Sequence, residues 1–314
     1  MPGLGTEMED ALTGRAAIVT GAGNGLGRAE AAALAQAGAL LVLNDLPGDA
    51  VAETAERVRA AGGQAVVCTG DVGDTETGQR LVSAALGEYG RLDILVNNAG
   101  ALRDRMIFTM QAEEWDLVIR VHLRGHFVTT RFATAHWREA SKQAGGPVYA
   151  RIVNTSSEAF LLGAPAQPNY AAAKAGIAAL TVATARGCAR YGVRANAICP
   201  RARTAMLAGL VSPPPTGGPD PLAPEHVTPL VTYLASPAAE RINGEVFVVH
   251  GGVAAVLSPP SIRAVFHADT TDGMWTLPAI RDALAGEFAG SSPDSPGFAC
   301  METMALATET IGFD

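Results

Sequence analysis

The sequence predicts a doubly wound α/β fold, a parallel sheet of about seven strands with helices on both faces and a C-terminal extension. Seven short apolar runs lie between residues 16 and 252, and none alternates in polarity. Continuous apolar runs mark strands buried on both faces, as in a parallel sheet. Longer helical stretches separate them, and strand–helix alternation repeated this often builds a doubly wound sheet. Composition agrees: of 314 residues, 48% are hydrophobic, 17% charged and 5% aromatic, with abundant Ala and Gly. Such a chain packs a core and is not disordered.

In order, the strands read as "AAIVT" (16–20), "LLVLND" (40–45), "QAVVCTGD" (64–71), "LDILVNNAG" (92–100), "ARIVNTSS" (150–157), "VRANAICP" (193–200) and "EVFVVHGG" (245–252). Helices are predicted over 25–37, 50–61, 75–89, 112–140, 170–191 and 224–234. "KQAGGPVYA" reads as a surface insertion before the fifth strand. "GLVSPPPTGGPDPLAP" (209–224) is too rich in Pro and Gly for regular structure and reads as a loop or lid. Residues 1–253 form one domain, and 254–314 an extension expected to pack on it or on a neighbouring subunit. Trp275, Leu277, Ile280 and Leu284 make a short apolar stripe there, with Thr276 and Pro278 near a helix start.

A formal charge of −8 offers no basic field to nucleic acid or an anionic membrane. Cys68, Cys188, Cys199 and Cys300 show neither paired nor metal-ligating spacing, so reduced thiols and no metal are expected. The acidic start "MPGLGTEMED" does not read as a signal peptide, and no segment has the uncharged length of a membrane span. A soluble, cytoplasmic protein is expected.

The first strand runs directly into "TGAGNGLGRAE". Glycines at Gly21, Gly25 and Gly27 permit a tight turn and let a phosphate approach the free N–H groups of a helix start. The second strand ends in Asp45, where a carboxylate can accept hydrogen bonds from ribose hydroxyls or simply begin a turn. Its charge repels a 2′-phosphate, Asn24 supplies no cation, and Arg28 lies further on, along the helix. NAD over NADP is the expectation.

With "TGAGNGLG", "NNAG" and "YAAAK" in order, residues 12–252 resemble the short-chain dehydrogenase/reductase family. The resemblance implies a Rossmann-type fold with cofactor contacts from Gly21, Asn24, Gly25, Leu26 and Gly27. Asp71 and Val72 match the family's adenine contact, and "NNAG", with Asn98, Ala99 and Gly100, walls the nicotinamide pocket. Ile198 and Thr204 match positions that contact the nicotinamide, and Pro200 is expected to bind cofactor with them. Ser157, thirteen residues before Tyr170, matches the catalytic serine, and Tyr170 and Lys174 the catalytic pair that also touches cofactor.

That pair has a chemical logic. Residues at i and i+4 share a helix face, so Tyr170 and Lys174 project together across small alanines. Oxidising an alcohol needs a proton acceptor, and tyrosine's ordinary pKa of ~10 is too high at neutral pH. A cation within ~4–6 Å depresses it by roughly 1–3 units, and Lys174, assisted by the positive charge of oxidised nicotinamide, is expected to be that cation.

Two positions depart from the family pattern. His122 in "VHLRGHF" replaces an asparagine that supports a water relay from the lysine; it either takes part in that relay or packs. His126 and His136 read as surface or interface residues. In "CPRART", Arg201 and Arg203 either pair with phosphates at the site's rim or form surface salt bridges.

"LRDRM" and "VHLRGHF" carry a narrower resemblance, to the (3R)-hydroxyacyl-CoA dehydrogenase unit of peroxisomal multifunctional enzyme type 2 (17β-hydroxysteroid dehydrogenase type 4). "NTSSEAFLLG" and "CPRARTAM" resemble its bacterial steroid-degradation relatives. The implied reaction is NAD-dependent oxidation of a secondary alcohol, a 3-hydroxyacyl-CoA with a steroid side chain or long acyl part, or a 17β-hydroxysteroid. A 3-oxoacyl-carrier-protein reductase and a catalytically silent nucleotide-binding scaffold are the alternatives. Met106, Ile107, Phe108, Met206, Leu207, Leu210 and Val211 are expected to line an apolar pocket, with Arg103 or Arg105 assisting Arg201 and Arg203. A homodimer or homotetramer is expected, built on the helices 112–140 and 170–191 through Ala178, Ala179, Ala183 and Ala185.

Overall fold

The computed structural model describes residues 11–204, 220–269, 273–292, 294 and 297–308. Its strands are β1 (Ala16–Thr20), β2 (Leu40–Asn44), β3 (Gln64–Val67), β4 (Ile94–Asn97), β5 (Ala150–Thr155), β6 (Val193–Pro200), β7 (Val246–His250) and β8 (Val253–Val256). They form one sheet in the order β3-β2-β1-β4-β5-β6-β7-β8. The pairings from β3 through β7 are parallel, while β8 runs antiparallel to β7. That eighth strand is absent from the sequence expectation: "VAAV" follows a Gly-Gly turn and alternates half-buried with exposed residues, as an edge strand does.

Helices α1 (Gly25–Gln36), α2 (Asp49–Ala60), α3 (Thr75–Tyr89), α4 (Ala112–Ile119), α5 (Gly125–Ala144), α6 (Ala159–Leu162), α7 (Pro168–Cys188) and α8 (Thr228–Ala235) belong to the same unit. Two apolar clusters form the core. One includes Val19, Leu43, Val96 and Val153 with Leu34 of α1 and Val231 of α8. The other includes Ile18, Val42, Leu95 and Ile152 with Leu81 of α3 and Trp137 of α5. Alternate residues of the strands thus feed opposite clusters, as the two-residue period of a strand requires.

The helix predicted over 112–140 is interrupted. A π-helical turn, Arg120–Arg124, joins α4 to α5, and α5 continues to Ala144, absorbing the first three residues of the expected insertion. The turn brings His122 inward, where it is 1% exposed.

The first compact unit comprises Met1–Leu257 and Cys300–Asp314, the second Ser258–Ala299. The expected boundary at 253 therefore moves, because β8 belongs to the sheet. In the second unit α9 (Leu277–Phe288) starts where Thr276 and Pro278 suggest: the Thr276 hydroxyl caps Ala279 N–H at 3.3 Å. Arg263 pairs with Glu287 at 2.8 Å. A final helix, α10 (Glu302–Thr308), belongs to the first unit.

Candidate active site

Strand order reverses direction at β1 and β4, and open parallel sheets bind ligands at such a switch point, beyond the carboxyl ends of their strands. A cavity of about 600 Å³ lies there. Gly21, Asn24, Gly25 and Leu26 line it after β1, Asp45 after β2, Asn98 and Gly100 after β4, Ser157 after β5, and Pro200 and Thr204 after β6. Helical His122, Tyr170 and Lys174 complete the predicted residues that it brings together. Gly27, Asp71, Val72 and Ala99 are not in that lining. Asp71 pairs with Arg120 at 3.1 Å and accepts Gly73 N–H at 2.7 Å. Val72 is buried, where a Cβ on Gly125 would come within 2.7 Å of it.

The glycine turn is held from several sides. A Cβ on Gly27 would sit 2.2 Å from the Gly21 carbonyl, so only glycine lets α1 start this close to the turn. The Thr20 hydroxyl accepts N–H bonds from Asn98 (3.0 Å) and Ala99 (3.2 Å), tying β4's end to β1's; the sequence reading missed this threonine. Asn24 gives α1 no side-chain cap, leaving the first-turn N–H groups available for an anion. Asp45 accepts Gly23 N–H at 2.8 Å and Leu46 N–H at 2.8 Å. Arg28 is committed elsewhere: its guanidinium donates to the Gly23 carbonyl and to Thr54 Oγ1 (3.1 Å), and lies 3.5 Å from Glu53. This donor set fits a dinucleotide: helix-start N–H groups for phosphate, a carboxylate for ribose and, among the described residues, an Arg28 already committed beside the turn.

At the cavity's other end the chemistry differs from expectation in one respect. Burial pushes the Tyr170 hydroxyl up to about 12, although a hydrogen bond with Ser157 pulls the other way. In the protein alone burial dominates, and the nearby lysine does not offset it. Lys174 is 2% exposed, and its ammonium donates to the Thr155 carbonyl at 2.6 Å and lies 5.2 Å from the tyrosine ring centroid. Burial lowers Lys174 itself to about 7. Two groups hidden from water each resist ionisation, so proximity alone does not make the phenolate.

His122 packs edge-on against Tyr170, with centroids 5.1 Å apart and planes at 85°. Its Nε2 lies 3.0 Å from Ala101 N and 2.8 Å from Ala101 O, so it can bond the loop in either neutral tautomer. A Cβ on Gly100 would lie 2.5 Å from the His122 ring, which explains the last residue of "NNAG". Burial lowers the His122 pKa, aided by Lys174. His126 is not at the surface: it is 2% exposed, and its Nδ1–H donates to the His122 carbonyl at 2.7 Å. Burial lowers it to about 3. The π-helical turn places it inside, and sequence periodicity does not report such a turn.

The expected apolar lining is corrected in part. Met106, Ile107 and Phe108 are exposed by 40%, 64% and 79% and do not line the cavity. Leu102, Leu162, Leu222 and Met304 do. Met206, Leu207, Leu210 and Val211 lie outside the described residues. Arg201 and Arg203 form ion pairs, with Glu158 at 2.6 Å and with Asp220 at 2.7 Å. Of the two readings of these arginines, the salt bridges are the ones present, with carboxylates 43 and 17 residues away in the sequence. Arg105 pairs with Glu114 at 3.4 Å.

The model of the family described as short chain dehydrogenase matches residues 15–213. The chain is 51% identical over 292 residues to hydroxyacyl-CoA dehydrogenase ChsB1 of Mycobacterium tuberculosis, covering 90% of this chain and 91% of that protein. It is 40% identical over 248 residues to peroxisomal multifunctional enzyme type 2 of Mus musculus, covering 76% of this chain but only 32% of that longer protein. The crystal structure of a short chain dehydrogenase from Mycobacterium avium superposes with a TM-score of 0.81 at 40% identity, covering 92% of this chain and all of that one. The chain belongs to the short-chain dehydrogenase family. It is an oxidoreductase acting on CH–OH groups, in a family whose members typically bind NAD or NADP. Among the described residues no helix is long and apolar enough to cross a membrane.

Proposed function

We propose that the protein oxidises the secondary alcohol of a 3-hydroxyacyl-CoA to the ketone with NAD, the acyl part being long or steroid-like. The observation that carries this is one cavity running from a glycine turn with Asp45 to the Ser157–Tyr170–Lys174 cluster. Its apolar wall suits an extended acyl group, and the similarity to a hydroxyacyl-CoA dehydrogenase supports the substrate class.

Gly25 and Leu26 N–H groups would hold the pyrophosphate and Asp45 the adenosine ribose, with Asn98, Gly100, Pro200 and Thr204 around the nicotinamide. Asp45's charge and the commitment of Arg28 to Gly23, Thr54 and Glu53 favour NAD over NADP. When bound, the oxidised nicotinamide would supply the hydride acceptor and a positive charge at this end of the cavity. Ser157 holds the substrate oxygen, and Tyr170 takes its proton. Tyr170 sits near 12 in the protein alone, so the charge that makes it a base is not supplied by Lys174 alone. Lys174, anchored by Thr155 O, orients the nicotinamide ribose and passes the proton onward. His122 fixes the ring of Tyr170 by edge-on packing, a positioning role rather than a titrating one. The CoA phosphates must be met by solvent or by cations other than Arg201 and Arg203.

We also propose that the protein is a homo-oligomer. Phe127 of α5 is 48% exposed and Val182 of α7 38% exposed; Ala175, Ala179 and Ala183 are exposed beside Val182. Ala185 is buried in the protein's own core and drops out of that surface. The four cysteines are free thiols, in keeping with a reducing, cytoplasmic setting.

A substrate panel tests the reading: 3-hydroxyacyl-CoA esters of several sizes, a free 17β-hydroxysteroid and a 3-hydroxyacyl carrier-protein surrogate, each with NAD and with NADP. The acyl-CoA esters with NAD should give the highest kcat/KM. Preference for the steroid alcohol, or for the carrier-protein surrogate with NADP, would replace this reading.

A further inference from the structure

Part of the cavity wall comes from chain beyond the sheet. Residues 300–308 belong to the same compact unit as the catalytic cluster. Cys300 N–H donates to the Leu161 carbonyl of α6 at 2.9 Å. Thr303, 2% exposed, offers its main-chain carbonyl to Arg201 Nη2 at 2.6 Å. Glu158 holds that guanidinium from the other side by two bonds, from Nε at 2.6 Å and Nη2 at 2.8 Å.

Both partners are largely buried, exposing 17% and 9% of their side chains. Charge-assisted bonds of this geometry fix orientation as well as adding energy, and removing one partner leaves a buried charge unpaired. Glu158 directly follows Ser157, and Arg201 directly follows Pro200. The clamp is therefore rooted in the strand ends that carry the reaction, and it fixes the final segment relative to them. With the segment so held, Met304 lines the cavity together with Leu102, Leu162 and Leu222.

We propose that the segment clamped by Arg201 and Glu158 presents Met304 as a specificity-determining wall of the acyl pocket, and that Met304 sets the size of acyl group accepted. This rests on the hydroxyacyl-CoA reading above. A substrate whose hydroxyl is fixed at Tyr170 must lay the rest of its acyl group against the apolar residues of the same cavity. A methionine there yields to irregular bulk without losing contact, whereas a rigid indole does not.

Met304→Trp and Met304→Ala should be compared with wild type on a short, a long-chain and a polycyclic 3-hydroxyacyl-CoA. Tryptophan should lower kcat/KM for the larger esters, relative to the short one, by at least about tenfold, chiefly through KM. Alanine should shift the ratio towards the larger esters. Equal effects on short and large esters in both variants would overturn the proposal. The clamp is read separately, by hydrogen exchange of residues 300–308 in Glu158→Gln and in the milder Arg201→Lys, which keeps the charge but loses the fork. Exchange should quicken in that segment, at the Cys300 amide first, while the β1, β4 and β5 amides stay protected. Wild-type protection of the segment in Arg201→Lys would overturn the clamp. If the wild-type protein oxidises no hydroxyacyl-CoA at all, the substrate reading fails, while the exchange result still decides the clamp.

Discussion

Tyr170 and Glu30 show how burial sets charge at single positions. With Tyr170 held near 12, the phenolate fraction keeps growing through the accessible pH range. In the oxidising direction kcat/KM should therefore rise from about pH 6 to about pH 9; a flat profile would mean that another group accepts the proton. Glu30 on α1 is 0% exposed and neither carboxyl oxygen has a hydrogen-bond partner. Burial raises it from the ordinary 4.5 to about 8. Between those values the folded protein binds more protons than the unfolded chain, so this stability is complete below the lower value and is lost as pH rises through the upper one. At ~1.4 kcal/mol per unit, the loss is on the order of a few kcal/mol. Glu30→Gln should gain unfolding free energy relative to wild type by that amount between about pH 5 and about pH 8; an equal difference at both ends would show that Glu30 is not buried as described. Neither behaviour is legible in the sequence. Tyr170 and Lys174 are legible as a pair because i and i+4 fix their shared face. Their ionisation depends on solvent exclusion by α6, α7 and the loop after β5, which no local pattern encodes.

At the scale of elements, β1 to β7 were legible because each is a continuous apolar run, while β8, a four-residue edge strand, was not; the glycine turn was legible because it links such a run to a helix. The π-helical turn was not, since one extra residue per turn leaves the apolar pattern of residues 112–144 nearly unchanged while bringing His122 and His126 inward. His126→Ala would remove one of the hydrogen bonds that the His122 carbonyl accepts, the Gly125 N–H remaining, and should lower stability by ~0.5–1.5 kcal/mol; unchanged denaturation would show that the bond contributes nothing. The Arg201–Glu158 pair was illegible for another reason: its members stand at the ends of β6 and β5, 43 residues apart, and only the sheet brings them together. At the end of β2, Asp45→Ala should narrow the preference for NAD over NADP, read as the ratio of kcat/KM values. The variant should also loosen the glycine turn, since Gly23 N–H loses its acceptor. Equal use of both cofactors by the unmodified protein would show that Asp45 does not face the ribose.

For the whole molecule, the order of the eight strands places every proposed catalytic group beyond the carboxyl ends of the strands, and Phe127 of α5 and Val182 of α7 are among the described apolar residues left exposed in a single chain. Sedimentation at micromolar concentration should give a dimer or tetramer, and Phe127→Glu should shift it towards monomer; a monomeric wild-type protein would contradict the proposed interface. The central claim is that this fold gathers a proton acceptor, Tyr170, at the end of an NAD-shaped cavity. Turnover and NADH binding measured side by side on Tyr170→Phe test it most directly. The account predicts that kcat/KM for a 3-hydroxyacyl-CoA falls at least about 100-fold while the NADH dissociation constant changes only a few-fold. Near-wild-type turnover in the variant would contradict it.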